Sequence, residues 1–328
     1  MIQRPGTVQI HDVFRYYGDD LRRVEEYMEK HLHSEISVIP EIAYHLIGSG
    51  GKRFRPLLLL AASSLCGYRG ERCYSLSAMI EFIHTATLFH DDVIDHAQTR
   101  RGKTSANNIW GNAASVLVGD FLYSKSFRIM TEDGNLSILK LLSTTTNTMS
   151  EGEVFQLIKT GDVNITEKEY LSIVEKKTSI LISAACAVGG ILGNVSDTKI
   201  EALTRFGMRI GSAFQISDDT LDYIAAEEEF GKAIGKDIEE GKITLPLIHT
   251  MKKCSSNERK LIKQSIQNKE TSVSDILSLI HKYDGINYAL NKAGAYIAEG
   301  KEFLKGFEDC QAKTSLLTIS DYIIERKI

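Results

Sequence analysis

Two short acidic runs stand out for the chemistry they could carry. His90-Asp91-Asp92-Val93-Ile94-Asp95 and Ser217-Asp218-Asp219-Thr220-Leu221-Asp222 share one Asp-Asp-x-x-Asp spacing. Residues four apart share a helix face, so Asp91 with Asp95, and Asp218 with Asp222, would stack like charges within a turn. That weakens an isolated helix unless something compensates. Mg²⁺ is suited to it, because this hard cation takes carboxylate oxygens and usually shares them with water and substrate phosphate. A single run also fits an ordinary solvated helix end. Both runs, however, close apolar helical stretches: residues 80–89 in one case, Ile210, Ala213, Phe214 and Ile216 in the other. Acids held in an apolar bundle are costly unless paired or metal-bound. The pattern therefore predicts carboxylates facing each other across a cavity.

Basic residues supply the complement. Gly50-Gly51-Lys52-Arg53-Phe54-Arg55-Pro56 sets three cations on a turn leading into a helix, where backbone N–H groups also favour anions. Arg100 and Arg101 follow the first acidic run, and guanidiniums grip phosphate oxygens two at a time. Lys176-Lys177-Thr178, Gly231-Lys232, Gly235-Lys236-Asp237 and Gly241-Lys242 add further cations. Each cluster alone reads as a solvated loop. Beside two acidic motifs they imply a heavily charged anion bridged by metal, such as a diphosphate.

The elements that must position these groups are helices. Helical periodicity covers residues 12–30, 34–46 (Ser34 a candidate cap), 57–66 behind Pro56, 72–96, 113–130, 136–159, 166–192 and 197–229. It continues over 244–252, 257–267, 273–283, 286–307 and 315–326, and residues 98–108 read as a loop. No βαβ alternation or run of strands is evident, and no linker divides the chain. The expectation is an all-α, single-domain helical bundle over residues 1–328 around a central cavity, with 1–33 as an N-terminal helical segment. Hydrophobic residues at 43% can fill such a core, and the rarity of proline, at 4 residues, suits long helices. A net charge of −4 offers no field for nucleic acid. Five cysteines, an odd number without a C-x-x-C pair, fit reduced thiols in a cytoplasmic protein. No signal peptide is apparent, and the longest apolar stretch, residues 180–193, is too short to span a bilayer.

Taken in order, Gly51 to Pro56, His84 to Asp95 with Arg100-Arg101-Gly102, Lys177-Thr178 and Phe214 to Asp222 resemble the trans-polyprenyl diphosphate synthase family, the polyprenyl synthetases. The likeness runs from about Ser34 to the C-terminus. Residues 81–89 and 111–120 are most similar to the long-chain members that make octaprenyl diphosphate. The resemblance implies a prenyltransferase that adds isopentenyl diphosphate to an allylic diphosphate, with farnesyl diphosphate the expected primer. Asp91, Asp92, Asp95, Asp218, Asp219 and Asp222 would hold Mg²⁺, as three ions with substrate bound. Lys52, Arg55, His84 and Arg101 match isopentenyl-diphosphate positions, while Arg100, Lys177, Thr178, Gln215, Lys232 and Lys242 match allylic-diphosphate positions. Catalysis would fall to Asp91, Asp92, Asp95, Arg100, Lys177, Asp218 and Asp219.

In short-chain relatives a bulky aromatic four or five places before the first motif plugs the product pocket. Ala86 and Thr87 occupy those places here. A long product of about C40 is expected, with Phe127 or Met130 as a deeper floor, although all four also suit an ordinary core. A homodimer is implied too, with transient membrane contact during product release and a basic tail (Arg326, Lys327) that either folds over the site or stays solvated. A class I terpene cyclase and a non-catalytic partner subunit are the alternatives. The second Asp-Asp-x-x-Asp and the Lys-Arg-x-Arg-Pro site speak against the first, and the six intact aspartates against the second. Glu81-Phe82-Ile83-His84 fits one half of a di-iron Glu-x-x-His site but has no second copy. His31, His33 and His45 read as structural, and Glu227-Glu228-Glu229 as a solvated face.

Overall fold

The apolar runs fold as helices, and the protein is all-α. The computed structural model describes residues 8–49, 51, 53–224, 235–268 and 273–325. In chain order the helices are α1 (Ile10–Tyr16), α2 (Gly18–Leu32), α3 (Val38–Ile47), α4 (Phe54–Leu65), α5 (Arg72–Ile94), α6 (Ala106–Trp110), α7 (Asn112–Asp133) and α8 (Leu136–Lys159). Then come α9 (Glu167–Val174), a π turn (Glu175–Ser179), α10 (Ile180–Leu192) and α11 (Asp197–Leu221). The short α12 (Lys236–Glu239) precedes α13 (Leu245–Lys253), α14 (Ser256–Asn268), α15 (Val273–Lys282), α16 (Gly285–Phe303) and α17 (Gln311–Glu325). Among the described residues the only strands are β1 (Thr99–Arg100) and β2 (Lys103–Thr104), an antiparallel pair between α5 and α6.

The chain divides into two compact units. The first comprises Met1–Thr146, Ala184–Thr204 and Gly306–Thr318. Its axis is α5, which packs against α2, α4 and α7. A helix surrounded on several sides must be apolar nearly all round. Leu76, Met79, Ile80, Phe82, Ile83, Ala86 and Phe89 of α5 are accordingly shut from solvent, as are Leu57, Leu58 and Leu59 of α4. Each such large aliphatic or aromatic side chain contributes roughly 1.5–3 kcal/mol of transfer free energy. The second unit comprises Asn147–Ser183, Arg205–Lys305 and Ile319–Ile328. In it α13 packs against α9, α15 and α16, and Phe206, Ile210, Ala213 and Ile216 form the buried stripe of α11.

Several local expectations change. Residues 12–30 are two helices, because Tyr17, buried with its ring edge-on to Tyr16, leaves helical ψ before Gly18 restarts the chain. Ser34 does not cap α3: its hydroxyl accepts from the Ile36 N–H, and Ser37 stands at the N-cap position. The loop over 98–108 contains the β1–β2 hairpin, whose central residues Arg101 and Gly102 both have positive φ, as a type I′ turn requires. The run over 166–192 is interrupted by the π turn. Finally, α11 ends at Leu221, and residues 225–234, including Glu227 to Glu229, lie outside the described residues.

Candidate active site

In the first unit, α5 delivers Asp91 and Asp92 on its last turn, while Asp95 falls just beyond it as the C-cap. His96 turns left-handed at φ 49°; its N–H and that of Ala97 reach back to the Val93 and Asp92 carbonyls. This is a Schellman ending, which satisfies the last carbonyls of the helix. The Asp95 N–H still donates to the Asp91 carbonyl at 2.8 Å, so the one-turn spacing of Asp91 and Asp95 holds to the last turn, and the chain leaves the helix only at His96. Asp92 is 1% exposed. Arg100, on the hairpin, grips a single oxygen of it, Oδ1, through Nε at 2.8 Å and Nη2 at 2.5 Å. Oδ2 is buried with no hydrogen-bond partner. A buried carboxylate oxygen without a donor costs its full desolvation, and a cation is what relieves it.

Four guanidiniums gather near His84. Burial first, then the charges of Arg55, Arg101, Arg100 and Arg53, hold its imidazole well below the usual range, so it is neutral at pH 7. A neutral imidazole can donate one hydrogen bond and accept another. Arg101 is lowered too, by burial first and by Arg53 and Arg100 among its neighbours. Gly51 approaches it so closely that a Cβ would lie 3.0 Å from Nη1. Arg53 adopts a left-handed conformation (φ 43°) at the N-cap of α4 and donates to Glu81 at 3.1 Å and to the Ile47 carbonyl at 3.0 Å. Such a conformation in a non-glycine residue persists where its surroundings over-determine it. Here the buried Glu81 does so, and it sets the turn that carries Arg55 into α4. The Glu81–His84 pair thus belongs to the arginine cluster: one anchors Arg53, the other sits among the charges. Lys52 lies outside the described residues, as does Lys232.

In the second unit the polar groups form a chain. Thr178 donates to Gln215 Oε1 at 2.8 Å, Gln215 Nε2 donates to Asp219 Oδ1 at 2.6 Å, and Tyr170 donates to Asp219 Oδ2 at 2.6 Å. Even so, burial raises the Asp219 carboxyl to about 6, with Asp218 adding to the rise and Lys242 opposing it. Asp222 stands just past α11 and accepts the Asp237 N–H at 3.0 Å. Asp237 is pushed well above the carboxylate range, by burial first and then by Asp219 and Asp222. Lys177 pairs with Glu153 at 2.7 Å and Lys242 with Glu240 at 2.8 Å. Asp218 is exposed. Two buried carboxyls, Asp219 and Asp237, are thus held above the ordinary range, with Lys242 as the cation that opposes the rise at both.

Both clusters therefore fit a divalent cation by their own chemistry: an orphaned carboxylate oxygen in one, buried carboxyls raised by burial and neighbouring acids in the other. Among the described residues no three His, Cys, Asp or Glu side chains form a ready-made cage. Mg²⁺ held by one or two carboxylates together with phosphate oxygens needs none. The motif spacing did not reveal Tyr170 or Glu153, which reach the site from α9 and α8, and it read Glu81 of α5 only as half of a di-iron motif. The Gly235-Lys236-Asp237 run contributes an acid to this cluster as well as a lysine.

The four residues named for chain length lie on α5 and α7. Ala86 and Met130 are buried; Thr87 donates to the His84 carbonyl at 2.8 Å; Phe127 is 39% exposed. His45 bonds the Thr104 carbonyl at 2.8 Å and meets Trp110 edge-on, a structural role. All five cysteines are free thiols. Among the described residues no helix is long and apolar enough to cross a membrane.

Comparison with known proteins bears on this geometry. The family model described as polyprenyl synthetase matches residues 36–283. The chain is 36% identical to octaprenyl diphosphate synthase of Escherichia coli (strain K12) over 311 residues, covering 94% of this chain and 96% of that one. It is 38% identical to a geranylgeranyl diphosphate synthase of Methanosarcina mazei over 292 residues, covering 86% and 88% respectively. Among solved structures, a polyprenyl synthase from Caulobacter crescentus CB15, complexed with calcium and isoprenyl diphosphate, superposes with a TM-score of 0.93 at 36% identity, covering 99% of this chain and 100% of that one.

Proposed function

We propose, on the premise that this chain belongs to the polyprenyl synthetase family and is a prenyltransferase, that it makes a long all-trans polyprenyl diphosphate of about C40. It would do so by adding isopentenyl diphosphate units to an allylic primer, farnesyl diphosphate being the one expected. The two units would act as one catalytic domain. The observation that carries this reading is the pairing of each Asp-Asp-x-x-Asp with its own cations and with an uncompensated acid: Asp92 Oδ2 beside the arginines, Asp219 beside Lys242.

The residues divide the chemistry between them. Asp91, Asp92, Asp95, Asp218, Asp219 and Asp222 would hold Mg²⁺, in keeping with the calcium and diphosphate of the Caulobacter protein. Bound there, the ion would neutralise charge growing on a departing diphosphate. Arg100, Lys177 and Lys242 would grip the allylic diphosphate as its C–O bond breaks, leaving an allylic cation. Such preorganised cations act where charge develops in the transition state. Lys52, Arg55, Arg101 and neutral His84 would fix the isopentenyl diphosphate, whose double bond then supplies the electron pair for the new C–C bond. The resulting tertiary cation loses a proton to the departed diphosphate, which restores an allylic double bond. Thr178 and Gln215 present neutral oxygens to the cation.

Length follows from what fills the space before the first motif. Ala86, small and fully buried on α5, would spare the pocket the aromatic ring that closes it, and Met130 of α7, buried where Phe127 is half-exposed, is the floor we favour. A shorter, geranylgeranyl product is the second reading, favoured by the 38% identity to the Methanosarcina protein. Incubating the protein with Mg²⁺, farnesyl diphosphate and excess isopentenyl diphosphate, then weighing the product, tests both. A C40 diphosphate is the expected result, C20 would support the second reading, and no elongated product would overturn the function.

A further inference from the structure

The turn that carries Lys177 and Thr178 is held from two sides by glycines. A π turn widens a helix by one residue and pushes its backbone outward, and such turns gather at functional sites. Gly152 of α8 meets it on one side: a Cβ there would lie 2.8 Å from Lys176 Cβ and 2.9 Å from both the Lys176 carbonyl carbon and the Lys177 nitrogen. Gly211 of α11 meets it on the other, where a Cβ would lie 2.6 Å from Ser179 Cα and 2.9 Å from Ser179 Cβ. Both glycines sit inside long helices, a position for which glycine is among the poorest residues. Backbone, not the end of a flexible side chain, occupies most of the space a Cβ would need. A methyl group at either position must therefore move the turn itself.

Each close contact is doubled by a polar one. Glu153, next to Gly152, pairs with Lys177 at 2.7 Å. Ser212, next to Gly211, shares a hydroxyl bond with Ser179 at 3.0 Å. Gln215, one helical turn beyond Gly211, accepts from Thr178 at 2.8 Å. Ser179 also donates to the Val174 carbonyl five residues back at 3.1 Å, the span of a π turn.

We propose that Gly152 and Gly211 are positioning residues that set the height of the π turn and so aim the Lys177 ammonium and the Thr178 hydroxyl at the allylic diphosphate. The inference rests on the function proposed above. Misplacement of a reacting or binding group by 1 Å can cost about 10²-fold in rate, so a small displacement of the turn is enough to register.

The test compares Gly152→Ala and Gly211→Ala with Gly189→Ala. Gly189 makes an equally close helix contact, its Cβ position 2.6 Å from the Ser63 nitrogen, but with α4 rather than with the π turn, and in the other unit. Ser179→Ala removes the hydroxyl ties without adding volume and serves if either glycine variant fails to fold. KM is measured separately for the two diphosphates, with the thermal midpoint alongside. The clamp predicts that the allylic KM rises about tenfold or more in both glycine variants, and less in Ser179→Ala. The isopentenyl KM should stay within about twofold, and Gly189→Ala should lose stability alone. Loss of stability in all variants with both KM values unchanged would overturn it. A wild-type protein that elongates nothing would refute the functional reading instead. Calorimetry with Mg²⁺ and inorganic pyrophosphate would then judge the clamp: weaker binding in Gly211→Ala supports it, and equal binding refutes it.

Discussion

Asp219 is surrounded by groups that pull its charge in opposite directions. Burial and Asp218 raise its carboxyl to about 6, while Tyr170, Gln215 and Lys242 favour the anion. A carboxyl raised in the folded state binds more protons than its unfolded counterpart between about pH 4 and 6, so the fold loses stability as pH rises through that window. At neutral pH the full cost is present. Asp219→Asn should therefore raise unfolding stability at pH 7.5 by about 1 kcal/mol, net of the poorer bond to Tyr170, while lowering turnover roughly 10²–10³-fold. Denaturant titration and steady-state kinetics on one preparation would check both halves. His84 works in the opposite sense. Its folded value lies well below the usual range, so the unfolded chain takes up the extra proton as pH falls below about 6.5, and stability falls with it. His31 and His249 are also lowered and add to that slope. His84→Gln should make the acid-side loss shallower by up to about 1.4 kcal/mol per pH unit below pH 6.5; identical slopes would contradict a buried, neutral His84.

At the scale of elements, the long helices were legible because each carries an apolar face that only a helix can present to a core. What escaped was set by contacts from outside the segment. The break at Tyr17 depends on its burial against other helices, the π turn on glycines of α8 and α11, and the hairpin on the positive φ of Arg101 and Gly102. The candidate site followed the same division. Acidic and basic motifs are local in sequence and were readable, whereas Tyr170 and Glu153, and the tie of Glu81 to Arg53, join them only through folding. The α5 helix also yields a prediction about length. Ala86→Phe fills the buried position five residues before Asp91, and the product should shorten by several isoprene units. An unchanged product length by mass analysis would show that the chain is measured elsewhere. Overpacking at a fully buried site costs about 1–3 kcal/mol, so some loss of stability accompanies it.

At the scale of the molecule, two questions remain joined to function. The first unit exposes Ile109 on α6 and Val116 and Leu117 on α7, a group of apolar side chains of the kind that marks a contact between subunits. The homodimer that the family resemblance implies predicts twice the monomer mass by light scattering, and Leu117→Asp should shift that mass toward the monomer. The second question is the central one: whether the two aspartate motifs serve one diphosphate. The most direct measurement is a double-mutant cycle on kcat/KM with Asp91→Asn, Asp218→Asn and the pair. Groups that act as a unit are non-additive, so once one half is lost the other has little left to contribute. If the motifs form one clamp, each single variant loses roughly 10²–10³-fold and the double variant little more than the worse single. If the losses multiply in the double variant, the motifs act independently and the single-clamp account is wrong.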